Sequence, residues 1–488
     1  MRRRLLAAIA PVALLAAPAT PQSTSALAQG RAQPITAQER SQGSQANAGI
    51  TAEYGGALTG RQATYVEAVG RRIATRSGLA SSPGAFNVTL LNSPVDNAFA
   101  IPGGYVYVTR NLVALMNDEA ELAAVMGHEV AHVAARHSQR RQSTAQRNSI
   151  LGALGQLIVG AVAGNSTLGG LLSRGVGGAA QLATLGFSRA QETQADDLAV
   201  RYLAGAGYDP TALATMLESL ADQTNLQNQL RGEARSVPRW ASTHPDPASR
   251  VRRALAQAGQ ARAGATRNRD QFLAAIDGMM YGEDPQQGVI EGRTFLHPAI
   301  GVAFDVPQGF TMQNGTQAVT ISGQGAQGEF TTAAFSGDLD GYVRSVVQRL
   351  GGGASASAAP RRTTVNGIPA AFTQVRAQSG STPVDVTVFA YQLGPRQAFH
   401  FTTIAAAGSG AGALEQTFGS MRRLSGAQAA AIRPRFVRVV TVGPRDRVQS
   451  LSGRMAYSDA QAERFLVLNR LDPNAALRAG TKVKIVTY

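Results

Sequence analysis

The chain contains no cysteine among its 488 residues, only one tryptophan and only six histidines. The lack of cysteine excludes disulfides, thiolate metal ligands and a cysteine that could carry a lipid anchor. Histidine is then the main nitrogen ligand left for a transition metal. Because histidine is scarce in this chain, two histidines at a defined spacing are informative.

The first 28 residues have the pattern of a secretory signal peptide. Arg2, Arg3 and Arg4 precede an apolar core at residues 5–17 and an Ala-Leu-Ala sequence at residues 26–28. The apolar core is too short for a stable membrane span. We therefore expect a protein of the bacterial periplasm that is not a lipoprotein.

The charge balance is strongly basic, with 46 Lys and Arg against 31 Asp and Glu and a formal net charge of +15. This excess favours anionic neighbours such as lipid headgroups and cell-wall polymers. The arginines are spread along the chain without a dense tract, so a general compositional bias is the alternative. We expect no nucleic-acid partner, because a secreted protein would not meet one.

Residues 148–173 carry no charged side chain. The length of this stretch would permit a membrane span, but several glycines, Gln156 and Asn165 interrupt its apolar character. We favour a Gly-rich helical lid or a peripheral membrane contact over a spanning helix.

His128, Glu129 and His132 form an H-E-x-x-H pattern in a segment that is predicted to be helical, with its N-cap at Asn117. Two histidines four residues apart lie on one face of a helix and can bind the same ion, with Glu129 beside it. This arrangement is typical of zinc peptidases. A helix with two ordinary surface histidines is the alternative.

The third ligand separates the subclasses of zinc peptidase. A metzincin needs a glycine and then a histidine soon after His132, but Ala135 and Ser138 occupy those positions. Glu192 and Asp196, also four residues apart, share a face of a second predicted helix. Glu192 would complete a set of two histidines and one glutamate, and Asp196 could accept the second ring N–H of a histidine ligand. A solvated carboxylate is the alternative for Asp196.

Four motifs together resemble metallopeptidase family 48. They are N-A-F-A-I-P-G-G at residues 97–104, H-E-V-A-H-x-x-x-R-H at 128–137, S-R-x-x-E-x-x-A-D at 188–196 and S-T-H-P at 242–245. The resemblance spans residues 45–260. It implies that His128, His132 and Glu192 bind one Zn²⁺ per chain and that Glu129 is the general base, which takes a proton from zinc-bound water.

The resemblance also draws attention to His244 in the S-T-H-P motif. In the family the matching histidine lies near the metal, and our hypothesis is that His244 is catalytic, either as a switch on the open position or as a donor to the transition state. A histidine that caps the following turn is the alternative. Arg250 could pair with an acidic group of the site, or it could face solvent.

Residues 101–109 alternate like a strand after a Pro-Gly-Gly turn, and in the family this segment forms the edge beside the cleft. A polypeptide would bind there by adding a strand, through main-chain hydrogen bonds that are largely indifferent to sequence. An internal hairpin strand is the alternative.

The predicted fold class is α+β. We expect a flexible linker at residues 29–47, a mostly helical zincin-type peptidase domain at 48–262 and a connecting helix at 263–287. The pattern of residues 288–425 predicts an antiparallel-sheet α+β domain, with a helix at residues 339–350, that weakly resembles PsbP and Mog-like domains. Residues 435–488 are predicted as strand, helix, helix and strand, and they resemble a divergent LysM module, which implies peptidoglycan binding. An altered turn at 443–446 leaves a structural domain docked on the first domain as the alternative.

The resemblance and the residue patterns together predict a periplasmic zinc metalloendopeptidase that degrades misfolded or stalled envelope proteins. The implied partners are unfolded polypeptides and the outer-membrane assembly machinery. One alternative is a self-inhibited or non-catalytic chaperone or scaffold, with His244 on the zinc. The other is a cell-wall-binding protein whose function lies in residues 435–488.

Overall fold

The computed structural model describes residues 32–140, 187–231, 244, 247–259, 264–323, 325–350, 359–379 and 382–488. The signal peptide predicted at 1–28 and the uncharged stretch at 148–173 lie outside the described residues. Within these ranges, no helix combines the length and the apolar character needed to cross a membrane.

The N-terminal domain (residues 37–287) is mostly helical. Its helices are α1 Ala37–Glu53, α2 Arg61–Ala74, α3 Arg110–Leu115, α4 Glu119–Ala134, α5 Arg189–Gly205, α6 Ala212–Arg231, α7 Pro247–Ala258 and α8 Arg269–Ile276. Its strands are β1 Asn87–Leu91, β2 Ala98–Ile101, β3 Tyr105–Thr109 and β4 Met280–Tyr281.

Helix α1 occupies most of the segment predicted as a flexible linker, so that prediction is wrong from residue 37 onward. Thr36 and Glu39 form a capping box that starts the helix. A side chain at Gly43 would lie 2.5 Å from the carbonyl oxygen of Pro102, so the helix passes directly over the turn between β2 and β3. Glu39 also pairs with Arg136, just beyond the end of α4. The polar composition of residues 29–47 did not indicate these contacts.

The small sheet has the order β1-β3-β2, in which β3 is parallel to β1 and antiparallel to β2. The segment at residues 101–109 was expected to form the edge beside the cleft. Its strand β3 lies instead in the centre, because β1 and β2 pair with both of its sides. The two edge strands of this sheet are β1 and β2.

Helix α4 begins one residue later than predicted. Its N-cap is Asp118, whose carboxylate accepts a hydrogen bond from the Glu121 backbone N–H at 2.9 Å. Asn117, the predicted cap, instead donates its backbone N–H to Glu121 Oε2 at 2.7 Å. Two acidic side chains therefore fix the start of this helix, and each binds a backbone N–H group.

The middle domain (residues 288–425) is an antiparallel sandwich. Its strands are β5 Val289–Glu291, β6 Thr294–His297, β7 Val302–Asp305, β8 Phe310–Asn314, β9 Ala318–Gly323, β10 Ala326–Thr332, β11 Arg361–Val365, β12 Ile368–Ser379, β13 Thr382–Gly394, β14 Gln397–Ala406 and β15 Arg422–Arg423. Its helices are α9 Leu339–Leu350, at the bounds predicted, and α10 Glu415–Ser420. A short helix, α11 Gly426–Ala431, follows.

A seven-stranded sheet, β11-β12-β13-β14-β10-β9-β8, forms the centre of the middle domain. One face packs on a four-stranded sheet, β15-β7-β6-β5, through a core rich in phenylalanine that includes Phe295, Phe304 and Phe401. The other face is covered by α9. The domain thus has cores of its own, separate from that of the N-terminal domain.

The C-terminal module (residues 435–488) has the predicted order of strand, helix, helix and strand. Its elements are β16 Arg435–Thr441, α12 Val448–Ser452, α13 Gln461–Asn469 and β17 Lys482–Thr487. Strand β16 pairs with β17 and with β4 of the N-terminal domain, so one sheet joins the two units. The module is docked on the N-terminal domain, as the structural alternative expected.

The segment at residues 263–287 is more than a connector. Phe272, Leu273 and Ile276 of α8 are buried in the core of the N-terminal domain, together with Val437 of the C-terminal module. The expected helix is present, but it does not merely connect two domains, because the apolar residues of α8 complete that core.

Lys484 is the most deeply inserted polar side chain of the C-terminal module. It is fully buried, and its ammonium donates hydrogen bonds to the carbonyl oxygens of Ala114, Leu115 and Met116 at 2.8, 3.2 and 2.5 Å. These carbonyls close α3, directly before the start of α4. A cation at the carbonyl end of a helix also interacts favourably with the helix dipole.

We expect Lys484→Ala to lower the free energy of unfolding by about 1–3 kcal/mol, because buried carbonyl groups lose their donor. Urea unfolding followed by circular dichroism measures the change. Lys482→Ala is the matched control: Lys482 lies two residues away, but it is partly exposed and pairs with an exposed aspartate, so its loss should have little effect. Equal effects of the two substitutions would contradict this account of Lys484.

Candidate metal centre

Two helices carry the predicted site residues. Helix α4 carries His128, Glu129 and His132, and α5 carries Glu192 and Asp196. Helix α5 begins with a capping box in which Ser188 and Gln191 exchange hydrogen bonds with each other's backbone. Glu192 therefore lies in the first turn of its helix.

The two helices approach closely at Gly127. A side chain on Gly127 would lie 3.9 Å from the Cα atom of Ala199 and 3.2 Å from Ile73. Two small residues at the crossing thus bring the backbones together, which brings the facing polar side chains within reach of one another.

Four buried side chains converge on one point: His128, His132, Glu192 and His244. One potential ligand atom from each lies within 4.8 Å of all the others. His128 Nε2 lies 3.0 Å from His132 Nε2 and 3.3 Å from His244 Nδ1. Glu192 Oε1 lies 3.4 Å from His132 Nε2 and 3.0 Å from His244 Nδ1.

These separations fit the ligand set of a tetrahedral ion. In a tetrahedral zinc site with Zn–N bonds of about 2.0–2.1 Å, neighbouring ligand atoms lie about 3.3–3.4 Å apart. The donor chemistry also fits, because three imidazole nitrogens and one carboxylate suit zinc. The residues present could therefore hold one zinc ion.

Asp196 orients His128. Its Oδ1 atom lies 3.0 Å from His128 Nδ1, which leaves Nε2 of the same ring facing the other three side chains. A carboxylate on the far nitrogen of a histidine ligand fixes the tautomer and the orientation of the ring. The structure thus brings Asp196 together with the four side chains of the cluster.

Arg250, on α7, binds both carboxylates. It donates from Nε and Nη2 to Asp196 at 2.8 and 2.7 Å, and its Nη1 lies 2.7 Å from Glu192 Oε2. The side chain is 5% exposed. Of the two interpretations of Arg250 from the sequence, a pairing with an acidic group of the site is therefore the one observed.

These contacts keep both carboxylates ionised in a buried place. Burial alone would raise the pKa of Asp196, but the hydrogen bonds from Arg250 and His128 lower it to about 2. Burial opposes ionisation of Glu192 in the same way, yet its histidine neighbours, His244 first among them, lower its pKa below the usual range. Both carboxylates can therefore accept hydrogen bonds or bind a cation.

Glu129 differs from the other two carboxylates. Its Oε1 atom is buried and accepts no hydrogen bond from any described residue, and His244 Nε2 lies 3.5 Å away. Burial raises the pKa of Glu129. A buried carboxylate with raised pKa and an unused oxygen suits a group that takes up and releases a proton.

The sequence did not reveal the residues that support His132. Its Nδ1 atom lies 2.9 Å from Nδ1 of His137, whose Nε2 lies 3.0 Å from Gln194 Oε1, and Phe187 stacks on the His132 ring at 3.8 Å. His137 is five residues after His132, so helical spacing does not point to it. Its signals were the rarity of histidine in this chain and its place at the end of the motif at residues 128–137.

A pocket of about 10 Å³, enough for about one water molecule, lies beside Glu129. Its far wall comes from α6, through Leu213, Met216, Leu217 and Leu220. The polar cluster is therefore closed on this side by apolar side chains.

Comparison with known proteins agrees with this geometry. Residues 60–258 match the model of peptidase family M48. The chain is 31% identical over 217 residues to the beta-barrel assembly-enhancing protease of Escherichia coli (strain K12), covering 43% of this chain and 42% of that protein. It is 32% identical over 189 residues to the mitochondrial metalloendopeptidase OMA1 of Schizosaccharomyces pombe, covering 39% and 51%.

The chain thus spans about half or less of the length of these relatives, and the matched region lies in the N-terminal domain. The four converging side chains and Glu129 all lie within it. Over residues 60–258 the chain is therefore similar to peptidase family M48.

Proposed function

We propose that this protein is a zinc-dependent metalloendopeptidase that cleaves unfolded or stalled polypeptides. The convergence of His128, His132, Glu192 and His244 beside a Glu129 oxygen that accepts no hydrogen bond from any described residue carries the proposal. A zinc ion held there supplies Lewis acidity, which acidifies a water molecule and polarises a peptide carbonyl.

The side chains have distinct roles in this proposal. His128, His132 and Glu192 hold the ion, and Asp196 orients His128 while Arg250 fixes the two carboxylates. Glu129 takes a proton from the attacking water and later passes it to the amine that leaves. The raised pKa of Glu129 favours this exchange, because a carboxyl group that titrates nearer neutral pH can both accept and return a proton.

His244 closes the fourth position in this arrangement. Its Nδ1 atom lies 3.0 Å from Glu192 Oε1 and 3.3 Å from His128 Nε2, inside the ligand cluster. A histidine there competes with water for the ion, so we infer that His244 is an inhibitory switch that must withdraw before catalysis. The same contact favours the second candidate function, a self-inhibited or non-catalytic chaperone or scaffold.

The edge of β2 supports unfolded polypeptides as the substrate class. β2 is an edge strand that pairs only with β3 among the described strands, and we propose that an extended chain pairs with its other side. Main-chain pairing is nearly independent of sequence, so it requires an unfolded segment rather than a particular motif. We propose that these substrates are envelope proteins in the bacterial periplasm, in keeping with the signal peptide pattern and with the name of the E. coli relative.

The decisive test is Glu129→Gln in the full chain. We expect casein cleavage to fall by about 10²–10⁴-fold, because the proton acceptor is lost, while zinc content stays at one per chain. Zinc is measured by atomic emission and cleavage by release of fluorescent fragments. Zinc in both proteins without cleavage by either would favour the scaffold function, and absence of zinc would contradict the site.

A second test concerns Asp196. We expect Asp196→Ala to weaken zinc binding by about 10–100-fold, because His128 loses the group that orients it. Competition with a chromophoric chelator measures the affinity. Asp197→Ala is the matched control, since Asp197 points outward and pairs with the partly exposed Arg253. Unchanged zinc affinity in Asp196→Ala would show that Asp196 does not support zinc binding through His128.

The role of His244 can be tested separately. If it is an inhibitory switch, His244→Ala should retain zinc and raise the initial rate of casein cleavage by about threefold or more, since the closed population is lost. The chromophoric chelator and the casein assay provide both measurements. A large loss of rate with zinc retained would instead make His244 a donor to the transition state.

A further inference from the structure

A second cavity, of about 170 Å³, lies where the N-terminal domain meets the C-terminal module. One side is formed by α6 and the segment at β4, and the other by α13, the residues just before it and β17. Its apolar and aromatic lining includes Leu226, Leu230, Tyr281, Met455, Tyr457 and Leu468. No part of the proposed chemistry uses this cavity.

One helix connects this cavity to the metal centre. Leu213, Met216, Leu217 and Leu220 of α6 line the small pocket beside Glu129, and Gln223, Leu226, Gln227 and Leu230 line the second cavity. Each set follows the i, i+3, i+4, i+7 pattern of a helix face, and at about 100° per residue the second set is rotated by roughly 80° from the first. The two cavities thus lie along a single stripe that winds around α6.

The distance along this stripe is short for an extended polypeptide. With a helical rise of about 1.5 Å per residue, Leu226 and Leu230 lie about 9–15 Å beyond Leu220 along the axis. An extended chain covers that distance in about three to five residues. A polypeptide held at the metal centre could therefore place one of its side chains in the second cavity.

Asp96 ties the cavity to the strand edge proposed to bind substrate. It lies two residues before β2, is buried, and accepts hydrogen bonds from Asn111 at 2.6 Å and from Gln223 and Gln227 at 3.3 and 3.1 Å. The start of β2 and the cavity-lining part of α6 are therefore held in a fixed relation.

We propose that the second cavity is a substrate exosite that takes an apolar or aromatic side chain of an unfolded polypeptide, a few residues from the bond that is cleaved. The inference rests on the proposed peptidase function. The lining selects the occupant, because its polar side chains already have partners. Asn111, Gln223 and Gln227 donate hydrogen bonds to Asp96, and Arg464 pairs with Asp459 at 3.1 Å, which leaves the apolar and aromatic side chains to contact the occupant. Because folded proteins bury such side chains, the exosite selects unfolded chains.

The absence of native cysteine allows a direct test. Leu230 is 37% exposed at the cavity, and Leu255 on α7 is a matched exposed leucine, 44% exposed and not among the cavity residues. Leu230→Cys and Leu255→Cys are each combined with Glu129→Gln in the full chain. Each protein is reacted with benzyl methanethiosulfonate, which adds a benzyl group to the introduced thiol through a reducible disulfide.

Binding of fluorescein-labelled β-casein is then followed by anisotropy. We expect the benzyl group in the Leu230→Cys protein to weaken binding at least threefold, and reduction of the disulfide to restore it. The benzyl group in the Leu255→Cys protein should have no effect. Casein should also slow the reaction of the thiol at position 230 with the reagent, because a bound side chain covers it.

Two results would overturn the exosite directly. One is unchanged affinity after complete modification of the Leu230→Cys protein, and the other is equal weakening in the Leu255→Cys control. Protection of the thiol at position 230 by chitotriose but not by casein would overturn it in favour of a glycan.

The two proposals fail in different ways. Binding does not need a working general base, so the exosite is tested in Glu129→Gln whatever the activity of the parent. Suppose that the benzyl group at position 230 weakens casein binding, but the chain without any substitution does not cleave casein. The exosite would then stand, and the peptidase function would be contradicted. Cleavage of casein without any effect of the benzyl group on binding would contradict the exosite and leave the peptidase function standing.

Discussion

The metal centre depends on one buried guanidinium. Glu192 and Asp196 are each almost completely buried, and two carboxylates so close together in a low-dielectric interior would tend to take up protons. Arg250 contacts both and balances their charge. With both carboxylates ionised, Glu192 can face a cation and Asp196 can hold His128 in one tautomer. The roles inferred for the two helices therefore depend on a third helix, α7, and on how that helix is positioned.

The sequence predicted the parts of the metal centre that follow from residue spacing within a single helix. H-E-x-x-H and the pair Glu192 and Asp196 follow helical spacing, and the two helices form as expected. The contacts of His137 and Arg250 could not be derived, because they depend on how α5 and α7 pack against α4. The N-cap was misplaced by one residue because Asn117, Asp118 and Glu121 can all cap a helix, and only the observed hydrogen bonds distinguish them.

The helices and strands of the fold were predicted well, whereas the segments expected to link domains were predicted poorly. Helix α9 has the bounds expected, and the C-terminal module has the expected order of strands and helices. The flexible linker was wrong, and the connecting helix forms as expected but belongs to the N-terminal domain, because α1 and α8 pack into that domain through a few side chains. Lys484 shows the difficulty most clearly: a lysine in a strand indicates a surface position, yet its partners lie some 370 residues earlier in the chain.

The docking of the C-terminal module changes how its own function can be examined. Its resemblance to LysM modules predicts glycan binding, which deletion of residues 435–488 would ordinarily test. Here that deletion also removes the donor to the α3 carbonyls, the strand that pairs with β4 and one wall of the second cavity. A loss of cell-wall binding after deletion would then be indistinguishable from damage to the N-terminal domain. A substitution of Arg445, an exposed residue of the altered turn at 443–446, avoids this ambiguity, because Arg445 contributes to none of those contacts.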